Sequence, residues 1–255
     1  MADTPKRPQR FDLGSTTGKS GRLVQIAGTA VVLALLVALV SFILIKHHDR
    51  KAASSVQGST VRVTSSKLVT QPGTSNPKAV ASFYEDFLCP ACGRFERSFG
   101  PTVSKLIDIG AIAGDYSMVS ILDSPRTQNY SSRAAAAALC VADESTDAFR
   151  RFHTALFSTG VQPDERGPNF PDNAKLIELA REAGVVGNVP DCINSGKNLS
   201  RVTGAAAAAN ITATPTIKIN GADYDPSTPD ALVAKIKSIV GDVPGIDTAV
   251  SPAAP

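Results

Sequence analysis

A pair of cysteines lies where one chain periodicity gives way to another: DFLCPACGRF, Asp86 to Phe95. Before it, NPKAVASFYEDF reads as a strand leading out of a turn. After it, apolar residues recur at Phe95, Phe99, Val103, Leu106 and Ile107, which is the spacing of one helix face. Pro90 suits the first helical position, where its missing N–H would have no intrahelical partner. A strand that passes into a helix through Cys-Pro-Ala-Cys narrows the fold to an α/β arrangement with both sulfurs at a helix N-terminus.

That position has chemical consequences. Cys89 falls at the N-cap, facing free backbone N–H groups and the positive end of the helix dipole. Both favour thiolate over thiol, and such cysteines reach pKa values of roughly 3.5–7.5. Cys92 shares a face with Phe95 and Phe99 at i, i+3 and i+7 and is expected to point into the core. Cys89 therefore reads as the exposed nucleophile and Cys92 as the sheltered resolving thiol. Gly93 permits close packing beside them, and Gly100-Pro101 is expected to kink the helix.

Other uses of the pair stand beside this one. A purely structural disulfide across so short a loop gains little chain entropy. A zinc site needs a second closely spaced pair or nearby histidines. Cys140 and Cys192 are far apart in sequence, and the histidines are His47, His48 and His153. No metal and no cofactor are expected. His153, among the phenylalanines of FRRFHTALF, reads as a satisfied or surface histidine rather than a ligand. Glu85 and Asp86 read either as carboxylates that tune the proton traffic of the pair or, more commonly for such residues, as solvated groups.

The remainder of the 255 residues sets the context. A net charge of +3, with no basic stripe carrying interleaved aromatics, argues against a nucleic-acid partner. Leu23 to Ile45 carries no charge. As a helix it would reach roughly 34 Å, enough for a hydrocarbon core of about 30 Å. It exceeds the apolar region of about 7–15 residues of a cleavable signal and ends in KHHDRK, so an uncleaved transmembrane anchor is expected. Lys6, Arg7, Arg10, Lys19 and Arg22 precede it, against Lys46, Arg50 and Lys51 behind. The excess puts the N-terminus in the cytoplasm and the long C-terminal part outside the plasma membrane. Four cysteines fit an oxidising compartment.

The expected organisation is a disordered cytoplasmic tail over 1–22, the anchor over 23–45, a linker over 46–60 and a globular part over 61–240. A flexible tail over 241–255 follows. Within the globular part, VRVTSSKLVT reads as a strand or hairpin and GDYSMVSIL as another strand. Residues 130–209 read as helical, in SSRAAAAALCVADES, TDAFRRFHTALFS, DNAKLIELAREAGV and SGKNLSRVTGAAAAAN. TPTIKINGADYD returns to strand, with Asn220-Gly221 as a two-residue hairpin turn. The final helix, TPDALVAKIKSIV, has Thr228 as N-cap and Pro229 at its first position. The pattern is an α/β domain, 61–129 and 210–240, interrupted by a helical insertion over 130–209.

FYEDFLCPACGRFE, the Ala-rich helical block and ATPTIKING together resemble the DsbA-like branch of the thioredoxin superfamily, over about residues 65–240. With its anchor, the chain is similar to the membrane-tethered DsbA-like proteins of mycobacteria and related actinobacteria. The resemblance implies a thioredoxin fold with an inserted helical domain and a thiol–disulfide oxidoreductase. Cys89 would form the mixed disulfide with substrate and Cys92 would resolve it. The active-site dipeptide would be Pro90-Ala91, and Thr214-Pro215 would carry a cis peptide bond facing the sulfurs. A cis bond before proline costs only about 0.5–1 kcal/mol. The turn would present Thr214 as a short edge for an extended substrate. Implied partners are exported proteins with free thiols and a quinone-linked membrane reoxidase resembling DsbB or vitamin K epoxide reductase. A monomer is expected.

Pro-Ala replaces the Pro-His of the best-known members, which points to an oxidant of intermediate strength. With the CxxC cysteines paired together, Cys140 and Cys192 remain to form a structural disulfide; the alternative is two separate buried thiols. A reductase or isomerase of the same fold, or a non-catalytic tethered binding protein, is the competing functional reading.

Overall fold

The computed structural model describes residues 58–250. The expected cytoplasmic tail (1–22), the anchor (23–45) and all but the end of the linker (46–60) lie outside them. Among the described residues no helix is long and apolar enough to cross a membrane.

Five strands form one sheet in the order β1-β3-β2-β4-β5. They are β1 (Thr60–Val63), β2 (Val80–Glu85), β3 (Ala113–Met118), β4 (Thr216–Ile219) and β5 (Ala222–Asp223). The β2–β3 pair is parallel, and α1 (Pro90–Asp108) makes the crossover that a parallel pair needs. All other pairs are antiparallel. Pro101 sits inside α1, which continues through it as one helix.

The inward register of β2 is Ala81, Phe83 and Glu85. Phe83 packs its ring 5.9 Å from Phe95 of α1 and 5.2 Å from Tyr116 of β3. Fully burying such a side chain contributes about 1.5–3 kcal/mol. The third inward position holds a carboxylate where a hydrophobe belongs, and the site below depends on that exception.

Between β3 and β4 stand α2 (Tyr130–Glu144), α3 (Thr146–Leu156), α4 (Asn173–Glu182) and α5 (Val189–Ser195), then the one-turn helices α6 (Leu199–Val202) and α7 (Ala205–Ala208). The alanines Ala134–Ala138 of α2 are buried and let neighbouring helices approach closely. Tyr116 meets Phe149 of α3 edge-on at 5.8 Å, which joins the insertion to the sheet. The stretch read as one helical segment, 195–210, is broken instead. Gly196 (φ 63°) and Gly204 (φ 77°) take the left-handed conformation that ends a helix.

Asn220 and Gly221 both have positive φ, 49° and 83°, as a type I′ hairpin turn requires. The last helix, α8 (Pro229–Val240), is capped by Thr228, whose side chain accepts from the Ala231 N–H at 3.1 Å. The chain then departs from expectation. Residues 241–250, expected to hang free, fold back onto α8. Val243, Ile246 and Ala249 are buried and Ile246–Thr248 forms a 3-10 turn. Their spacing of three puts them on one side of that turn. Lys237 reaches Asp242 at 3.0 Å and Asp247 at 2.7 Å on its exposed side.

Candidate active site

Cys89 is the N-cap of α1, with extended backbone (φ −70°, ψ 118°), and Pro90 follows at the first helical position. Asp86 shapes the crossing from strand to helix. Its Oδ1 accepts from the Leu88 N–H and its Oδ2 from the Leu122 N–H, both at 2.9 Å. Its carbonyl accepts from the Cys89 N–H at 2.9 Å. Asp86 is fully buried, not solvated, and burial raises its pKa to about 6 against the pull of these hydrogen bonds.

Cys89 and Cys92 are both free thiols, the reduced state of the pair. Cys89 keeps 8% of its surface accessible and Cys92 none, so the contrast in exposure is smaller than expected. The contrast in acidity is large. The Cys92 thiol, donating to the Cys89 sulfur, is the main cause of a Cys89 pKa lowered to about 5. Burial opposes this, while the Thr214 side chain and the N–H groups of Cys92 and Ala91 assist it. Cys92 is driven far upward by burial, by its own bond to Cys89 and by the nearby Glu85 charge. From the far end of the sequence, the cis Thr214-Pro215 bond lies against the pair. The Thr214 carbonyl accepts from the Cys89 thiol at 3.3 Å.

These values give a measurable signature. The Cys89 pKa is depressed in the fold, so its contribution stabilises the reduced protein fully above the ordinary value of 9.0. That contribution is lost as pH falls toward about 5. The reduced form is expected to gain stability over the oxidised form between pH 5 and 9, because the oxidised pair does not titrate. Thermal melts of both forms across that range, with thiolate absorbance at 240 nm, check it; a flat difference would contradict the assignment.

Two parts of the site were missed in sequence. The first is Gln162, in the loop after α3. Its Nε2 donates to the carbonyls of Cys89 at 2.9 Å and Phe87 at 3.2 Å. Its Oε1 accepts from Arg97 Nη1 at 3.3 Å, and Arg97 also donates to the Phe157 carbonyl at 2.7 Å. A Cβ on Gly93 would lie 1.9 Å from Gln162 Oε1. Gly93 is therefore the space through which the insertion grips the active-site helix. Gly93→Ala is expected to destabilise the protein by about 1–3 kcal/mol, although alanine is the better helix former by about 1 kcal/mol. Adding Gln162→Ala is expected to recover part of that loss. Urea unfolding of the two single variants and the double variant measures the coupling.

The second is a buried polar cluster behind the cysteines. Glu85 Oε2 lies 3.0 Å from His153 Nε2, and Glu96 Oε2 lies 3.9 Å from His153 Nδ1. The imidazole is enclosed by Phe87, Tyr116, Phe149 and Phe157. Burial raises Glu85 to about 8, raises Glu96 well above the carboxylate range and lowers His153. Of the two sequence readings of Glu85, the solvated one is set aside by its burial. Glu96 carried a usable signal: it follows Cys92 by four residues, on the inward face of α1.

Cys140 of α2 and Cys192 of α5 are joined by a disulfide, with Cα atoms 5.9 Å apart. Asn198 Nδ2 lies 3.5 Å from the Cys140 sulfur and 3.2 Å from Asp143 Oδ2. Arg201 continues the network by bonding Asp143 at 3.0 Å and the Gly58 carbonyl at 2.6 Å.

A strand thus enters a helix through Cys-x-x-Cys, faced by a cis-proline loop. The chain belongs to the thioredoxin family, whose model, described as "Thioredoxin", matches residues 69–238. Within that family it is DsbA-like, of the mycobacterial type. Reduced DsbA from Mycobacterium tuberculosis is 74% identical, with TM-score 0.74 over 75% of this chain and 98% of that one. The reduced disulfide bond oxidoreductase DsbG from Mycobacterium tuberculosis is 75% identical, with TM-score 0.75 over 77% and 94%. MdbA, a thiol-disulfide oxidoreductase from Corynebacterium diphtheriae, shares the fold at 20% identity and TM-score 0.57, over 72% and 92%. Among curated proteins, the serine/threonine-protein kinase PknE of Mycobacterium tuberculosis is 30% identical over 142 residues. That match covers 55% of this chain but only 25% of the kinase.

Proposed function

We propose that this protein is an extracytoplasmic thiol–disulfide oxidoreductase that introduces disulfides into exported proteins. The observation that carries the reading is the inequality of the two thiols, Cys89 acidic at a helix N-terminus and Cys92 sealed beneath it. Stabilising the Cys89 thiolate stabilises the reduced pair, and a pair stable when reduced is oxidising as a disulfide. A substrate thiolate attacks Cys89 Sγ of the oxidised pair, and Cys92 leaves with the electron pair. The second substrate thiolate then attacks its partner sulfur in the mixed disulfide. Cys89 departs as a thiolate, so the substrate gains a disulfide and the enzyme holds the dithiol. Pro90 and Ala91 set the helix start, and Thr214-Pro215 offers main chain against which an extended substrate can lie.

The anchor over Leu23–Ile45 would hold the catalytic domain outside the plasma membrane with the N-terminus in the cytoplasm. A quinone-linked membrane partner resembling DsbB or vitamin K epoxide reductase would reoxidise it. The monomer suffices for this cycle. Equilibration with glutathione tests the direction of electron flow. A potential well above that of thioredoxin, about −270 mV, is expected, toward the values near −180 and −120 mV of stronger oxidants. A value near −270 mV, or no oxidative refolding of reduced ribonuclease, would overturn the reading.

A further inference from the structure

The core behind the dithiol keeps two carboxylates and an imidazole, of which Glu85 is close enough to raise the Cys92 thiol. Glu85, Glu96 and His153 are 3%, 9% and 3% exposed, and each offers a ligand atom within 4.8 Å of the others. They come from three separate elements, β2, α1 and α3. Each glutamate leaves its buried Oε1 without a donor from any other residue, and the two carboxyls hydrogen-bond each other by sharing a proton. Unsatisfied oxygens in a dry, aromatic shell are costly unless something else uses them.

We propose that Glu85, Glu96 and His153 form a binding site for one divalent transition-metal cation of zinc or cobalt chemistry. One imidazole nitrogen with carboxylate oxygens is a donor set such cations accept. Charge balance agrees with the burial. A divalent cation that displaces a proton from each of the two carboxyl groups leaves two carboxylates, a neutral histidine and no net charge in the core. Ligands of a tetrahedral zinc stand about 3.4 Å apart at bond lengths of about 2.1 Å. The pair Glu85 Oε2 and His153 Nε2, at 3.0 Å, is already that close. The third donor, on Glu96, lies within 4.8 Å of the other two and would close in when a cation binds.

One of the three residues borders a surface cleft. A cleft of about 210 Å³ opens between α1 and the end of α3, and Glu96 lines it with Gly100, Pro101, Ser104, Thr154 and Phe157. The absent side chain of Gly100 leaves room for Glu96, whose Oε2 lies 2.8 Å from where a Cβ would stand. The fourth coordination position would face this cleft. A cation here would also add positive charge close to Cys92, whose acidity already responds to Glu85. The site would thus influence the dithiol from behind without touching substrate.

The test uses the full chain in detergent with Cys89→Ser and Cys92→Ser, so that the dithiol cannot capture metal. Cobalt(II) is titrated while its visible absorption is followed, and zinc is added in competition. Binding of one cobalt per chain is expected, displaced by zinc, at least tenfold weaker in Glu96→Gln and in Glu85→Gln. His47→Ala/His48→Ala is expected to leave it unchanged. Zinc should raise the melting temperature of the parent chain and not that of the two glutamine variants. Absence of a cobalt spectrum in the parent chain overturns the proposal, whatever the variants do. So does binding unaltered by both glutamine substitutions, or binding lost with His47 and His48.

Discussion

Cys92→Ser protein, oxidised at Cys89 by a substrate disulfide or an activated thiol, is expected to accumulate as a covalent enzyme–substrate adduct. Cys89→Ser protein is expected to form no adduct and to have no oxidative refolding activity above background. The asymmetry follows from the geometry. Cys89 retains 8% of its surface, is acidic, and its sulfur lies beside the Thr214 carbonyl at 3.3 Å. Cys92 is fully covered, and its high pKa removes the thiolate that attack requires. Without Cys92, no internal thiol is placed to break a mixed disulfide at Cys89, so the adduct persists until an external thiol arrives. Non-reducing electrophoresis and intact-mass measurement with a two-cysteine peptide decide the matter. Equal adduct yields from the two variants would refute the division of roles.

The second large effect concerns stability, away from the reacting sulfurs. Replacing Cys140 and Cys192 together by serine is expected to lower unfolding stability by roughly 4 kcal/mol in the chain-entropy treatment of a loop this long. The two residues are 52 apart in sequence and tie α2 to α5. Without the bond, Asn198 loses the sulfur at 3.5 Å, and the network through Asp143 and Arg201 to Gly58 loses part of its footing. Urea unfolding in the oxidised state, with the Cys89–Cys92 bond intact in both proteins, measures the loss. A change below about 1 kcal/mol would mean that helix packing alone fixes the insertion. Activity at low temperature is expected to persist, because neither cysteine contacts the catalytic pair.

Much of this arrangement is legible in the sequence because its signals are local. Cys89-Pro90 marks the strand-to-helix junction, Asn220-Gly221 the hairpin, and Thr228-Pro229 a helix start. Each needs only its immediate neighbours. The inward turn of Glu85, after Ala81 and Phe83, was not read from the sequence, where solvation is the commoner fate of such a carboxylate. What escaped were long side chains acting across the fold. Gln162 meets a carbonyl 73 residues earlier in the chain, and nothing around it announces that contact. Glu85 and His153 stand 68 residues apart and acquire meaning only together. The packed segment 241–250 was missed for a different reason. Its glycine and proline content reads as loose, while Val243, Ile246 and Ala249 fill one side of a single turn.

Gly93 and Gln162 also bear on how such a chain can change over generations. The glutamine tip occupies the place of a side chain at position 93, so alanine there makes Gln162 shift and the two positions are coupled. A lineage that shortens Gln162 first can later accept alanine beside the resolving cysteine; the reverse order makes the glutamine move away from the Cys89 and Phe87 carbonyls it holds. Descendants of this chain should therefore show an order of replacement, with the loop of the insertion changing before the helix that bears the sulfurs.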